Sequence, residues 1–456
     1  MAFARPIDGP PAVFPLLRAS DPRLARLLEY GREKDPRGHV VHAWITGLAF
    51  GLQPLTPVAA WIGLVILLGY AVLRLHATWR CLPSLLRMPL MVAWIAMSIW
   101  SLLAISWSSD PAEGFENAGV LRTIVLITAT WPILDRWRPI LFGMAAGSAV
   151  QMVFQLLMYV GVMENFNQTH SAWTMTGGFS KHTGNTAVWA SVSTCLMFGI
   201  AVRRIRGRYW AMVLGVCCVV GVILSGSRTL LMAIPIVIAL QVLLSVHLAG
   251  SRRVKFITLG GLILGFLGML ALPSVAPSSL PVKRLSAMVS ELEKALVDQN
   301  YNSSSGLRLF WWRESVEMVA RNPVVGHGSG SFRVEFEKHL DQHDRHDQHD
   351  QQNRQDVSFF PKRAYCDNPH STIALEMVER GAVGLLLWGS IFVLGIHGAW
   401  RAWKQNPALS GLLFGWLVLF IYGISNSLQL SGFTVSLAAV LLALSMPRPQ
   451  SLNVET

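Results

Sequence analysis

Apolar residues recur along this chain in runs of about twenty, separated by short polar connections. A run of that length forms a helix that can cross the hydrocarbon core of a bilayer, which is roughly 30 Å thick. We count twelve runs. They lie near 40–54, 57–75, 89–107, 117–134, 139–161, 184–202, 209–225, 229–248, 256–272, 381–400, 409–424 and 433–446. The pattern therefore predicts an all-α polytopic membrane protein with about twelve transmembrane helices.

Composition and charge support this class of protein. Of the 456 residues, 52% are hydrophobic and 14% are charged, whereas ordinary soluble domains carry roughly 25% charged residues. The formal net charge is +12 at pH 7. The basic residues are distributed over many connections instead of forming one concentrated patch, so the charge does not indicate nucleic-acid binding.

The positions of Lys and Arg predict the orientation of the helices. Positive residues near the ends of spans are retained in the cytoplasm, and here they crowd every second connection. These basic connections lie at 18–37, 74–87, 136–138, 203–208, 252–255 and 401–404. We therefore expect both termini in the cytoplasm.

The same pattern divides the chain into five parts. They are a cytoplasmic N-terminal tail at 1–38, transmembrane helices 1–9 at 39–272, a large outer loop at 273–369, transmembrane helices 10–12 at 370–446 and a cytoplasmic C-terminal tail at 447–456. Only the large loop is long enough to shape a binding site outside the membrane.

The large loop has two parts with different composition. Apolar residues at near-helical spacing predict a helix over 303–321, which the pair Asn322-Pro323 stops. The glycine-rich turn 326–330 that follows lacks the lysine of a P-loop, so it does not predict nucleotide binding. The segment 339–356 is rich in Asp, Gln and His.

Three histidines of that segment, His339, His343 and His346, would share one helical face, which is an arrangement that can bind a metal. The segment has few apolar residues to fix such a geometry, which favours a solvated tract. We therefore expect no metal site and no cofactor, and the role of the tract stays open.

Four cations lie on the predicted outer side of the membrane. Arg122, Lys181 and Arg228 are near the ends of predicted spans, and Arg308 is in the large loop. An ionisable residue at membrane depth is costly and usually faces a cavity or a partner. A single arginine at a span end can also extend to the lipid headgroups. Several guanidinium groups on one face can together hold a phosphate through paired hydrogen bonds.

A histidine at the end of the large loop completes the candidate chemistry. Asn368 can cap the following helix and Pro369 suits its first position, so His370 should fall in the first turn. The helix dipole there disfavours a charged imidazole, which would keep the ring available as a base.

These residues form an ordered set of motifs that resembles the bacterial O-antigen ligase family. His370-Ser371, nine residues and then Gly381-x-x-Gly384 resembles the family signature His-(Asn/Ser/Gln)-x9-Gly-x-x-Gly. Three further segments resemble family patterns: 178–185 before a span, Ser225-Gly226-Ser227-Arg228-Thr229, and Arg308-x-x-x-Trp312 followed by Asn322-Pro323-x-x-Gly326-x-Gly328. The resemblance covers roughly residues 170–400.

The resemblance implies a membrane glycosyltransferase of GT-C-like architecture with a periplasmic active site in the bacterial inner membrane. Such ligases transfer a polysaccharide from undecaprenyl pyrophosphate to a sugar hydroxyl of lipid A-core, without ATP or a metal. Arg228 and Arg308, with Arg122 and Lys181 as further candidates, would stabilise the pyrophosphate. His370 would act as the base or orient the acceptor hydroxyl, with inversion as the expected outcome. The paired glycines would let helices approach closely behind it.

Three other functions fit parts of the pattern. O-antigen polymerases share the span plan and the outer arginines, and protein O-oligosaccharyltransferases attach glycans to protein hydroxyls. A lipid or glycan transporter could also have twelve spans, but transporters usually carry polar sites near the midplane and repeated halves. The sequence does not specify the sugars or the oligomeric state.

Overall fold

The computed structural model describes residues 29–117, 120–164, 183–202, 207–249, 274–275, 280–350, 368–428 and 432–445. Helices and short turns make up this described part, and it contains no β-strand. The prediction of an all-helical chain is therefore confirmed for the residues described.

Ten α-helices have defined bounds in the described part of residues 36–249. They are α1 (Pro36–Leu52), α2 (Pro57–Leu73), α3 (Leu75–Leu85), α4 (Pro89–Leu103), α5 (Pro111–Glu116), α6 (Val120–Thr130), α7 (Trp137–Tyr159), α8 (Thr183–Ala201), α9 (Arg208–Ser225) and α10 (Arg228–Ala249). Proline in the first turn starts α1, α2, α4 and α5, because its fixed φ suits that position and its missing N–H would have no partner there. The 3₁₀ turns Ala104–Trp107 and Trp131–Arg136 extend α4 and join α6 to α7.

Six α-helices follow. They are α11 (Leu280–Val297), α12 (Ser304–Arg321), α13 (Phe332–Asp350), α14 (Thr372–Gln405), α15 (Ser410–Ile424) and α16 (Gly432–Ser445). The predicted helix over 303–321 is confirmed as α12, with Ser303 as its N-cap.

Within the described residues, six helical stretches are long and apolar enough to cross a membrane. They are Pro89–Trp107, Arg122–Tyr159, Arg208–Ser225, Arg228–Ser245, Thr372–Gln405 and Pro407–Ile424. The pair α2 and α3 would add a seventh if it is one span bent by 95°. The protein is thus a polytopic membrane protein, and the count of twelve spans stays a prediction.

Four of the six differences from the predicted twelve have local causes, and a fifth is the run 184–202, whose helix α8 is not among the six stretches. Helices α1 and α2 have 17 residues each and α16 has 14, so they are short for a span. The runs predicted at 117–134 and 139–161 form one stretch of 38 residues, kinked where Ile133 leaves helical angles (φ −123°, ψ 18°) beside Pro132. The predicted span at 256–272 lies outside the described residues.

Helix α8 lies at the centre of the bundle, where α7, α9, α10 and α15 surround it. Its side chains from Thr186 to Met197 are all buried. A second, smaller core joins the loop helices α12 and α13 to the start of α14, through Phe310, Trp311, Phe336, Leu375 and Val378. This second core attaches the large loop to the membrane helices.

Candidate active site

Helix α14 is broken near its start, and a segment of the large loop fills the break. Gly381 leaves helical backbone angles (φ 64°, ψ −165°). The carbonyls of Val378 and Glu379 accept hydrogen bonds from the N–H groups of His327 and Gly328, each at 2.8 Å. Beyond the break, the N–H of Ala382 bonds the carbonyl of Pro323 and that of Val383 bonds Val324. The glycine-rich turn therefore replaces the lost helical hydrogen bonds.

Glycine is required at this junction on both sides. Gly381 and Gly326 have positive φ, which other residues adopt only at a cost. A Cβ at Gly381 would overlap the carbonyl of Val324, and a Cβ at Gly326 would lie 2.5 Å from that of Glu379. The predicted role of the glycines of α14, close approach of neighbouring helices, is wrong for Gly381, because what approaches it is loop backbone.

A buried arginine fixes the same turn from inside the helix. Arg380 bonds Glu376 at 3.1 Å, Ser329 at 3.0 Å and Glu379 at 3.3 Å, and its side chain is 2% exposed. Ser329 in turn donates to the carbonyl of Ser101 at the end of α4. The network thus joins α14, the glycine-rich turn and α4.

His370 lies directly before α14. It has a left-handed backbone conformation (φ 46°), and Ser371 is the N-cap, because its side chain accepts a hydrogen bond from Ala374. The expectation that Asn368 caps the helix and that His370 falls in the first turn is wrong. The side-chain oxygen of Asn368 instead accepts the backbone N–H of His370 at 3.0 Å, so it shapes the turn that presents the histidine.

Two tryptophans of α12 position His370. The ring of Trp311 stacks on the imidazole, with 5.1 Å between centroids and 25° between planes. The next residue, Trp312, donates its indole N–H to the carbonyl of Pro369 at 3.2 Å. Because α12 also carries Arg308 one turn earlier, the same rigid helix positions the candidate base and a candidate anion-binding group.

Arg228 starts α10 and is paired with a carboxylate from the large loop. Its guanidinium donates to both carboxylate oxygens of Glu291 on α11, at 2.5 and 2.8 Å, and to the hydroxyl of Ser305 at 3.1 Å. Burial alone would raise the pKa of Glu291, but these bonds and the positive charge lower it below its ordinary value. Glu291 is therefore ionised at neutral pH and partly neutralises Arg228.

Arg308 lies near Arg228 and Glu291, but unlike Arg228 it has no paired carboxylate in the described structure. Its half-buried guanidinium makes no hydrogen bond and no ion pair with any residue that the structure describes. Burial and the nearby charge of Arg228 lower the pKa of Arg308, while Tyr422 and Glu291 oppose that shift. The indole N–H of Trp311 is also buried without an acceptor in the described part of the chain. Arg308 therefore offers a charged donor without a partner in the described structure, and the buried indole N–H of Trp311 lies one helical turn away on α12.

Hydroxyl and amide groups from several helix ends surround these cations. Thr229 bonds Ser425 at 2.8 Å, and Thr372 donates to the carbonyl of Asn426 at 2.8 Å. Ser427 donates to Asn368 at 3.3 Å. The start of α10, the start of α14 and the end of α15 therefore meet in one polar region. The charge pattern assigns all these segments to the same side of the membrane.

The structure describes only one of the remaining two predicted cations, Arg122. Arg122 lies over the ring of Trp61, 5.6 Å from its centroid, and its Nε is buried with no hydrogen-bond partner among the residues described. Lys181 lies outside the described residues.

Sequence reasoning missed Glu291, Ser305, Trp311 and Tyr422. Glu291 and Trp311 lie on loop helices whose docking depends on tertiary contacts that no local pattern reveals. Tyr422 is a buried residue near the end of an apolar run. Its hydroxyl would lie 2.5 Å from a Cβ at Gly184, so it lies against the start of α8. The one available signal was Ser305, three residues before Arg308 and therefore on the same face of α12.

Fold and site together define a helical membrane protein with a cationic, histidine-containing centre at one end of its bundle. Residues 213–389 match the model of the family described as O-antigen ligase. This part of the chain is therefore similar to the O-antigen ligase family. No match to the chain was found among curated proteins. The matched residues include Arg228, Arg308, His370 and the break at Gly381.

Proposed function

We propose that this protein is an O-antigen ligase of the bacterial inner membrane. It transfers a polysaccharide from undecaprenyl pyrophosphate to a sugar hydroxyl of lipid A-core at the periplasmic face, and both termini lie in the cytoplasm. The observation that carries the proposal is the half-buried guanidinium of Arg308, which lacks a partner among the described residues. A pyrophosphate would supply the missing oxygen atoms, and Arg228 lies close enough to share its charge.

The reaction forms a bond between the acceptor oxygen and the anomeric carbon of the donor sugar. The bond from that carbon to the pyrophosphate oxygen breaks, and undecaprenyl pyrophosphate leaves with the bonding electrons. Negative charge therefore grows on the leaving group in the transition state. Cationic donors held in place before the reaction stabilise that charge more than they stabilise the ground state. We assign this role to Arg228 and Arg308.

The proton of the acceptor hydroxyl goes to His370. The ring of Trp311 stacks on the imidazole, and the hydrogen bond from the backbone N–H of His370 to Asn368 fixes the turn that carries it. A general base positioned in this way typically contributes about 10²–10⁴-fold in rate. Attack from the face opposite the pyrophosphate inverts the anomeric configuration. Arg122 and Lys181 are further candidates for donor binding near the membrane surface.

The proposal includes a GT-C-like arrangement of twelve spans and a reaction that needs neither ATP nor a metal. An O-antigen polymerase would use the same donor and pass the glycan to a second lipid-linked glycan. A protein O-oligosaccharyltransferase would pass it to a protein hydroxyl. These alternatives differ from the ligase only in the acceptor, so the test varies the acceptor.

Purified protein in detergent is given undecaprenyl pyrophosphate-linked glycan and lipid A-core, with EDTA present. We expect glycan on lipid A-core with wild type and a loss of at least about 10²-fold with His370→Ala. His397→Ala is the matched control, since this residue is an exposed histidine of the same helix and should leave transfer unchanged.

Each other product overturns part of the proposal. Longer lipid-linked glycan without product on lipid A-core would identify a polymerase. Transfer only when an unfolded periplasmic protein is added would identify a protein acceptor. Glycan movement across vesicles without any new linkage would identify a transporter. Equal activity of His370→Ala and His397→Ala would remove His370 from the mechanism.

A further inference from the structure

Three metal-ligating side chains converge where α12 and α13 pack together. Glu314 and Glu317 lie one turn apart on α12, and His339 faces them from α13. Nε2 of His339 lies 3.0 Å from Oε2 of Glu314 and 3.5 Å from Oε2 of Glu317. Tetrahedral zinc bonds of about 2.0–2.2 Å place ligand atoms about 3.3–3.6 Å apart. Both distances from His339 are therefore close to the spacing of a zinc site, and all three ligand atoms lie within 4.8 Å of one another.

Burial distinguishes this group from an ordinary surface cluster. The side chain of His339 is fully buried and that of Glu314 is 3% exposed, whereas Glu317 is 49% exposed. Two ligands are thus fixed in the second core, and the third opens to solvent and gives an ion access. The expectation of a solvated tract from residue 339 onward is wrong for His339, because α13 carries it into that core.

We propose that Glu314, Glu317 and His339 bind a divalent transition metal of the zinc class, with water in the fourth position. Imidazole and carboxylate ligands suit this ion, and three protein ligands with one open position is a common arrangement. The metal links α12 to α13 and takes no part in glycan transfer. Glu314 lies one turn from Trp311, so the metal fixes the part of α12 that supports His370.

The arginines around the site define what changes when the metal binds. Arg313 holds Oε1 of Glu314 at 2.6 Å and leaves Oε2 for the metal, as partners of ligand carboxylates commonly do. Arg321 donates to Nδ1 of His339 at 2.7 Å. A metal on Nε2 moves the ring proton to Nδ1, so the exposed Arg321 must release it. Arg321 therefore competes with the metal.

This competition predicts opposite effects of two substitutions. Glu317→Gln removes a negatively charged ligand from an accessible position and should weaken Zn²⁺ binding at least about tenfold. Arg321→Gln removes the competing cation and provides an amide oxygen that can accept the Nδ1 proton, so it should tighten binding. Glu337→Gln, an exposed position on α13, is the control and should change nothing.

The histidines of the following tract could bind metal independently, so the experiment starts from a chain in which His343, His346 and His349 are replaced by Gln. The full-length protein is titrated with Zn²⁺ by calorimetry and with Co²⁺ by visible absorption, which reports tetrahedral coordination. We expect one ion per chain, a rise in Tm on binding and the two opposite shifts described above.

Two outcomes overturn the site. The first is no bound ion once the three tract histidines are replaced, which assigns all metal binding to the tract. The second is one bound ion whose affinity is the same in Glu317→Gln, Arg321→Gln and Glu337→Gln. Neither result depends on glycan transfer, so the metal site and the ligase proposal can fail separately.

Discussion

Two arginines near the start of α14 illustrate opposite uses of a buried charge. Arg380 is almost fully enclosed and bonds two glutamates and a serine. Arg308 is half-buried and has no such partner among the described residues. The protein has compensated the desolvation of Arg380 within its own fold. For Arg308, Tyr422 and Glu291 compensate the desolvation only in part and without a hydrogen bond.

The presence or absence of a partner distinguishes an arginine that stabilises the fold from an arginine that binds a ligand. A paired buried arginine holds elements together, and its removal leaves uncompensated carboxylates behind. An unpaired arginine near a histidine costs stability and is retained for what it binds. Changes at the two positions should therefore affect different measurements.

The largest effect is expected for Arg380→Met. The substitution leaves Glu376 and Glu379 buried without their cation, which should cost about 3–5 kcal/mol of unfolding free energy. The exposed pair of Arg333 with Asp110, 3.3 Å apart, is the matched control, and Arg333→Met should cost less than about 1 kcal/mol. Thermal unfolding in detergent, followed by tryptophan fluorescence, measures both. Equal stability of the two variants would contradict the structural role.

Arg308→Ala should lower the transfer rate about 10²–10³-fold, or about 2.7–4 kcal/mol in barrier height, because one transition-state donor is lost. The same change should leave Tm unchanged or raise it, since an uncompensated charge is removed. Arg308→Lys keeps the charge but not the paired hydrogen bonds and should recover only part of the rate. A fall in Tm with an unchanged rate would reverse the assignment of the two arginines.

Gly381→Ala tests the junction between α14 and the glycine-rich turn that Arg380 holds in place. A side chain at φ 64° that also overlaps the carbonyl of Val324 should cost about 1–3 kcal/mol. Gly389, on the same helix with open space around it, is the control. Gly389→Ala should be neutral or stabilise by up to about 1 kcal/mol. Similar Tm values for both alanine variants would show that the turn does not depend on Gly381.

The sequence predicted much of this arrangement and missed the rest for identifiable reasons. Helix α12 was predictable because apolar spacing, Ser303 and Asn322-Pro323 are local signals. The docking of the glycine-rich turn into α14 was not, since it depends on backbone hydrogen bonds between residues more than fifty positions apart. Composition assigned His339 to a solvated tract, because a polar neighbourhood gives no sign that one of its members is buried.

The site residues divide in the same way. Arg228, Arg308 and His370 could be named because charged residues at span ends and a family signature are visible in one dimension. Their partners Glu291 and Trp311 could not, because any of several loop residues could have faced them. The sequence predicted Asn368 as the N-cap of α14, whereas the structure shows Ser371 in that position. Asn and Ser have similar capping preferences, so only the backbone angles distinguish the two positions.

The smallest effect is expected for Glu291→Gln, which removes the charged partner of Arg228. Arg228 is intermediate between the fully paired Arg380 and Arg308, which is unpaired in the described part of the chain. Arg228 is paired, but its partner is only partly buried, so losing that ion pair should cost less than about 1 kcal/mol. The pKa of Glu291 is lower in the folded protein than its ordinary value. The pair therefore stabilises the fold above the unfolded pKa, and this contribution is lost as pH falls through the folded pKa.

The Tm of wild type should therefore exceed that of Glu291→Gln by a small amount at neutral pH. This difference in Tm should shrink as the pH is lowered into the acidic range where Glu291 becomes protonated. The variant also leaves Arg228 without its counter-charge, so the donor should bind more tightly and KM should fall. Tighter donor binding would mean that Glu291 occupies the position of the pyrophosphate in the resting protein and yields it when the donor arrives. An unchanged KM together with a pH-dependent difference in Tm would instead show that Arg228, like Arg380, has a structural role. Arg308 would then bind the pyrophosphate without help from Arg228.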